Sequence, residues 1–423
     1  MNTSVEGTCG CDEFRTARRT FLKGTLGAAG VIATSGLIGD VFTQVAYGVE
    51  TGTNVLVVLS LRGGSDGLSM VVPHGDPDYA PARPRIAVPA TQLLAADPMF
   101  GLHPAFAPLL PMWNADKFAA VQAVGLPQPN RSHFAAMEAV EDADPGSAER
   151  RGWINRMVGL MAAENPAEAI QLGTPMLPTS LYGSAPTLAS DRLSSLRLPG
   201  PSDPTWQGRQ EEALTGIWSS VDGPLGRGAL SALSTTQNLA SLATSETRPQ
   251  NGATYPDGTL GDTLAETATL LRADVGARVV TIDYGGWDMH TGMGTVAIGS
   301  MRNQINELAR ALSAFFTDLG PTGDRVTVVT LSEFGRRVEE NGANGLDHGY
   351  GNCVLVLGAG VRGGQYYGTW PGLGTNLVSG DLAVTTDYRS VLAEITSSRF
   401  PEASVAQLFP SFRPQSLGFM AQA

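Results

Sequence analysis

Short apolar runs recur along the chain, each ending in a turn rich in glycine or acid. Residues 54–60 (NVLVVLS), 118–124, 278–283 (RVVTID), 326–331 (VTVVTL) and 354–357 read as strands. Unbroken apolar character, rather than strict alternation, is the pattern of strands buried on both faces. Between them, 3.6-residue periodicity predicts helices at 132–142, 205–221, 225–242, 263–274, 301–319 and 388–399. Apolar strands alternating with helices predict an α/β fold, with a central, mainly parallel sheet flanked by helices. Residues 73–104 and 174–205 read as loops, and about 160–260 as a helical and loop insertion. In such sheets ligands sit at the carboxyl ends of the strands. The polar motifs of this chain do follow its apolar runs.

The N-terminus sharpens the reading of where the protein works. Arg18-Arg19-Thr20-Phe21-Leu22-Lys23 precedes a weakly apolar Gly/Ala-rich stretch that ends near Ile38. Paired arginines, Phe-Leu-Lys and such a stretch have the form of a twin-arginine export signal. The stretch is shorter than the ~20 residues a membrane span needs. We expect residues 1–48 to be a signal peptide and 49–423 a single domain. Export engages the twin-arginine translocase and leads to the periplasm, cell wall or medium. Nothing after residue 50 reads as an integral membrane span. Cys9 and Cys11 lie in the signal, so Cys353 alone remains afterwards.

Charge narrows the partners. The net charge is −12, from 28 basic and 40 acidic residues. That balance excludes a general nucleic-acid binder, which needs a basic face.

Three segments carry candidate chemistry. Gly285-Gly286-Trp287-Asp288-Met289-His290 follows one predicted strand, Ser332-Glu333-Phe334-Gly335-Arg336-Arg337 follows another, and Asp347-His348 precedes a third. Carboxylate with imidazole suits Zn²⁺, Mn²⁺ or Fe²⁺ better than Ca²⁺ or Mg²⁺. A fourth segment, Asn130-Arg131-Ser132-His133, opens a helix. A serine there feels the helix dipole and unpaired backbone N–H groups, which stabilise an alkoxide or an anion. The bland reading is that Ser132 is only an N-cap. Arg62 and Asp66, in the first glycine turn, are candidates for an anion contact and a metal ligand. That turn lacks the Gly-Lys-Ser/Thr of a Walker loop and the three-glycine dinucleotide fingerprint. His103 reads as a loop residue, and His74 has no motif around it.

Six segments together resemble the DUF1501 family: LRGGSDGLSMVVPHGDPDYAPARPRIAVP (61–89), GLHPAF (101–106), RSHFAAMEAVE (131–141), GGWDMH (285–290), LSEFGRR (331–337) and LDHGYGNCVLVLGAGVRGGQYYGTWPGL (346–373). The resemblance spans roughly residues 54–400. It implies an alkaline phosphatase/sulfatase-like fold with metals at the strand ends, and hydrolysis of phosphate or sulfate esters. By that analogy Ser132 is the nucleophile, and Asp288, His290, Glu333, Asp347 and His348 are the metal positions, with Asp66 nearby. Arg62, Arg131 and Arg336 would hold a small anionic ester, and His133 or His290 would serve as acid or base. Two departures stand out. No Asp directly follows the first strand, where Ser60-Leu61-Arg62 stands, and Phe334, which cannot bind metal, follows Glu333. These departures argue against a two-metal centre and leave one metal or none. They also support the alternative of a non-catalytic, exported binding or assembly protein on the same fold.

Overall fold

A computed structural model describes residues 53–422, apart from 145–146, 148–149, 163–164, 199 and 201–202. The expected signal peptide and its cleavage site lie outside the described residues. The strands of the main sheet are β1 (Val55–Leu61), β2 (Phe118–Gly125), β3 (Ala169–Leu172), β4 (Leu188–Ser190), β5 (Val279–Tyr284), β6 (Val326–Leu331), β7 (Asn352–Gly358), β8 (Tyr366–Tyr367) and β9 (Thr386–Asp387). Their spatial order is β8-β2-β7-β6-β1-β5-β3-β4, with β9 also beside β2. β1 runs parallel to both β5 and β6. β7 is antiparallel to both of its neighbours, β2 and β6. The α/β class with a mainly parallel sheet is therefore as the sequence predicts.

The seven residues of β1 are all buried because successive side chains enter two different cores. Val55, Val57, Leu59 and Leu61 face one layer, with Leu260 and Leu264 of α5 (Thr259–Arg272) and Ile305, Leu308 and Leu312 of α6 (Ser300–Leu319). Leu56 and Val58 face the other layer. There they meet Met137 of α1 (His133–Asp142), Ile154 of α2 (Trp153–Leu160) and Val391 of α7 (Tyr388–Arg399). Each buried Val or Leu contributes about 1.5–3 kcal/mol of transfer free energy, so the central strand is held from both sides.

The middle of the chain differs from the expectation of a mere insertion. β3 and β4 lie within 160–260, and β3 pairs in parallel with β5, extending the sheet. They have four and three residues, too few to establish a period. The predicted helices there are real. α3 (Pro204–Ser219) and α4 (Pro224–Asn238) form a hairpin in which Leu214 is the sole buried residue of α3. Among the described residues, no helix is long and apolar enough to cross a membrane.

Topology brings the polar motifs together. The segments after β1, β2, β5 and β6 all emerge at the carboxyl edge. β7 runs the other way, so the segment that precedes it arrives at that same edge. Asp347 and His348 thus meet residues that follow strands.

Candidate metal centre

The turn after β1 is built on glycine. Gly63 and Gly64 have φ of +115° and +74°, in the left-handed region that favours glycine. A Cβ on Gly63 would stand 2.6 Å from the Asp288 nitrogen, and one on Gly64 2.5 Å from the Phe334 ring. Backbone after β5 and the Phe334 ring after β6 therefore close on the turn, with no room for a side chain on either glycine. The Gly63 N–H donates to Glu333 Oε1 at 2.7 Å. The buried Arg336 guanidinium ties the same turn to the others. It donates to Gly64 O (2.6 Å), Leu346 O (2.8 Å), Trp287 O (3.2 Å), Gly63 O and Asp288 Oδ1 (2.6 Å).

On this frame three imidazoles converge on one carboxylate. His290 Nε2 lies 3.0 Å from Asp288 Oδ1, His348 Nε2 3.2 Å from the same oxygen, and His133 Nε2 3.6 Å from Asp288 Oδ2. The opposite ring nitrogens are all engaged with acceptors. His133 Nδ1–H donates to Glu333 Oε1 at 2.9 Å, His290 Nδ1–H to Asp347 Oδ1 at 2.9 Å, and His348 Nδ1–H to the Arg131 carbonyl at 2.9 Å. Carboxylate and carbonyl oxygens can only accept, so these partners put each proton on Nδ1. Each Nε2 then presents a lone pair to the shared focus. Asn341 Nδ2 donates to Asp347 Oδ1 at 3.2 Å and to the His290 carbonyl at 2.9 Å, steadying that pair. Phe334 packs on the other two rings, 5.0 Å from His133 and 4.7 Å from His348 between centroids.

This arrangement fits a divalent ion. Donors about 2.1 Å from a tetrahedral metal stand roughly 3.4 Å apart, close to the separations of 3.0, 3.2 and 3.6 Å seen here. His133, Asp288 and His348 present ligand atoms within 4.8 Å of one another; His290 Nε2 stands beside that group, 3.0 Å from His348 Nε2. Imidazoles whose second nitrogen is held by a carboxylate or a backbone carbonyl are the usual form of metal-ligating histidine. The electrostatics agree. Burial pushes the Asp288 carboxyl up, but hydrogen bonding and charge from Arg336 hold it below the ordinary carboxylate range. The His290 hydrogen bond, with Asn341, holds Asp347 below that range against a smaller effect of burial.

The structure redistributes the residues singled out from sequence. Asp288, His290 and His348 come together, and His133 stands with them, its Nε2 3.6 Å from Asp288 Oδ2 and its Nδ1 bonded to Glu333. Glu333 and Asp347 stand behind His133 and His290 as hydrogen-bond acceptors. Asp66 differs from the expectation of a ligand, because both its oxygens bind Arg83, at 2.5 and 2.9 Å, and both side chains are fully buried. Ser132 is the N-cap of α1, but its side chain is exposed and makes no capping hydrogen bond.

The three arginines expected to hold an anion already have partners. Arg62 binds Glu141 (2.5 Å) and Asp283 (2.8 Å). Arg131 donates to the buried Asp381 from both Nε, at 3.1 Å, and Nη2. Arg336 is consumed by the turn. Arg83, Glu141 and Asp381 were not singled out from sequence, since each acts through a partner 17 or more residues away. His103 is a buried helix cap that accepts from the Ala105 N–H, and His74 bonds the Asp97 carbonyl. Cys353 is buried and free.

The family model described as "Protein of unknown function (DUF1501)" matches residues 101–397. No curated protein matches the sequence. Among solved structures, the chain is similar to the C-terminal periplasmic domain of EcEptC from Escherichia coli in complex with Zn. That match has a TM-score of 0.36 and 10% identity, and covers 86% of this chain and 88% of that one. It is also similar to PsFucS1 sulfatase from Pseudoalteromonas sp., with a TM-score of 0.34, 10% identity, and coverage of 88% and 74%. A third is alkaline phosphatase from the Antarctic bacterium TAB5, with a TM-score of 0.31, 12% identity, and coverage of 73% and 92%.

Proposed function

The chain belongs to the DUF1501 family, and on that premise we propose that it is an exported, metal-dependent hydrolase of phosphate or sulfate esters. Its centre is a single divalent ion, Zn, Mn or Fe, held by His133, Asp288, His290 and His348. One observation carries this reading: His133, Asp288 and His348 present ligand atoms within 4.8 Å of one another, with His290 Nε2 3.0 Å from His348 Nε2, while every Nδ1–H is held by an acceptor. A divalent ion bound there supplies Lewis acidity, which polarises an ester oxygen and lowers the pKa of a nearby hydroxyl or water.

The chain's own groups do the rest. Glu333, Asp347 and the Arg131 carbonyl fix the tautomer and direction of the histidines. Arg336 keeps Asp288 ionised. Phe334 excludes water from one side of the His133 and His348 rings. Ser132 stands beside His133 at the start of a ten-residue helix, where the dipole and free N–H groups favour an alkoxide. It is our candidate nucleophile. The twin-arginine translocase is the partner in export.

A second reading, a non-catalytic exported binding or assembly protein on the same fold, is favoured by one observation: Arg62, Arg131 and Arg336 are all engaged with protein acceptors. Metal analysis and a substrate screen decide between them. The protein, exported by its own signal and purified without chelators, should carry about one equivalent of metal and hydrolyse an aryl phosphate or sulfate ester. Ser132→Ala should abolish turnover and keep the metal. Metal-replete protein that hydrolyses no ester would support the binding reading. Arg18→Lys/Arg19→Lys should block export, and normal export of that variant would remove the twin-arginine route.

A further inference from the structure

We infer that α3 is the interface between two copies of this chain, packed antiparallel across a two-fold axis near Ala213. Seven large apolar side chains are exposed among the described residues. Four of them, Trp206, Ile217, Val221 and Leu225, fall between 206 and 225. Single apolar residues scattered over a surface are ordinary, whereas a contiguous set marks an interaction site.

Helical geometry makes this set contiguous. At about 100° per residue, Trp206, Ala213 and Ile217 lie within about 40° of one another around α3. Val221 follows just past the end of the helix, its N–H bonded to the Trp218 carbonyl. Trp206 is 58% exposed and Ile217 49%. The hairpin is tied at its open end, where Gln237 donates to Glu211 at 3.3 Å. Packing against α4 buries Leu214 and leaves the stripe uncovered. α4 also rests on the turn at 166–168 that leads into β3. That turn meets the amino edge of the sheet, opposite the edge that carries the metal centre, and the inference is independent of the hydrolase reading.

The occupant that fits is a second copy. A two-fold interface has to complement itself, and this stripe does. Trp206 lies seven residues before Ala213 and Val221 eight after it, while Gln210 lies three before and Ile217 four after. Two antiparallel copies therefore set the large Trp206 against the smaller Val221, and Ile217 against Gln210. Ala213, the smallest side chain of the stripe, falls at the crossing and lets the helices approach. Leu225, in the first turn of α4, extends the contact at each end. The 16 residues of α3 span about 24 Å, and pairing that length with Leu225 buries on the order of 1,000 Å² in total, the size at which specific interfaces begin. The two hairpins together make a four-helix arrangement, in which the open side of each α3 gains a core. A lipid surface fits less well. Residues 203–238 carry four acids against two arginines and no lysine, whereas helices that lie on membranes are rich in Lys and Arg.

Sedimentation velocity of the full mature protein, from about 1 to 200 µM, reads the oligomeric state. We expect a monomer–dimer equilibrium with a Kd of about 1–100 µM. Ile217→Glu, which puts a charge into the stripe, should weaken the dimer about tenfold or more and leave the metal content unchanged. Cross-linking tests the geometry separately. Ala213→Cys places a thiol on the axis of a mature chain whose Cys353 is buried, and it should form a disulfide dimer in mild oxidant. Glu212→Cys turns the thiol about 100° away from the axis and should cross-link far more slowly. A monomer throughout the concentration range would overturn the inference. So would a dimer that Ile217→Glu leaves intact, or one that Glu212→Cys cross-links as fast as Ala213→Cys. A monomer that binds phosphatidylcholine vesicles, and loses them in Ile217→Glu, would also overturn it and assign the stripe to a lipid surface.

Discussion

His290 Nε2 and His348 Nε2 lie 3.0 Å apart, although 58 residues separate them in the chain. One follows β5 and the other precedes the reversed strand β7. Each is turned toward the other by an acceptor on its far nitrogen. Two lone pairs pointed at one another and at Asp288 repel unless a cation lies between them. Metal binding should therefore depend on both residues and, less strongly, on what stands behind them. His290→Ala or His348→Ala should abolish stoichiometric Zn²⁺ binding. Glu333→Gln and Asp347→Asn should each weaken it about 10–100-fold. Competition against a chromogenic chelator measures all four, and wild-type affinity in His290→Ala would remove that residue from the centre.

Asp66 and Arg83 test a different assignment. Their pair is completely buried, and Arg83 also donates to the Val338 and Arg337 carbonyls. Removing one partner leaves an uncompensated buried charge, at about 3–5 kcal/mol. Arg83→Met should lower unfolding free energy by that amount, and Asp66→Leu/Arg83→Met should recover part of it. Asp66→Asn, which keeps the shape and one of the two acceptors for Arg83, should retain full metal content if it is studied below its melting temperature. Denaturant titration and metal analysis give the two readouts. Loss of metal from folded Asp66→Asn would return Asp66 to the ligand set.

The strands and the site were legible in the sequence to unequal degrees. Residues 326–331 and 388–399 are predicted at their observed bounds, because a fully buried strand and a long amphipathic helix each leave a strong pattern. The short strands β3 and β4 leave none. Asp288, His290 and His348 stand out because acids and histidines cluster at strand ends. The separation of donors from their supporting groups does not, because it depends on which ring nitrogen meets which oxygen. Asp66 shows the limit most sharply. An aspartate in a glycine turn near a metal motif looks like a ligand until Arg83, 17 residues away, occupies both its oxygens.

His103 predicts a pH dependence separate from the centre. Burial, with a smaller contribution from Arg302, pulls its imidazole down to about 4 from the ordinary 6.5. The unfolded chain thus binds a proton between those values that the folded chain refuses. Stability from this group is complete above pH 6.5 and is lost as pH falls toward 4, up to about 3 kcal/mol. His103→Asn keeps an acceptor for the Ala105 N–H and does not titrate. Urea unfolding at pH 4.5 and 7.5 should show a smaller loss in His103→Asn than in the wild type, and equal losses would refute the assignment.

Asp381 predicts an effect at the centre from a residue that does not touch it. It is fully buried, binds the Arg131 side chain, and has one oxygen, Oδ1, with no hydrogen-bond partner. The carbonyl of that same Arg131 accepts from His348 Nδ1. Holding the side chain of Arg131 therefore helps to hold its peptide plane, and through it the direction of the His348 ring. Asp381→Asn weakens the grip on Arg131 while preserving shape, and it gives Oδ1 the chance to be replaced by a donor. It should lower metal affinity, by less than Glu333→Gln, which acts on His133 directly. Arg131→Lys should behave like Asp381→Asn, because a lysine keeps the charge and loses the fork. The ring proton of His348, followed by nitrogen NMR in the Zn²⁺ form, gives the specific readout. A shift of the Nδ1 signal in Asp381→Asn marks a changed carbonyl partner, whereas a loss of stability alone would leave that signal in place and reduce Asp381 to a structural role.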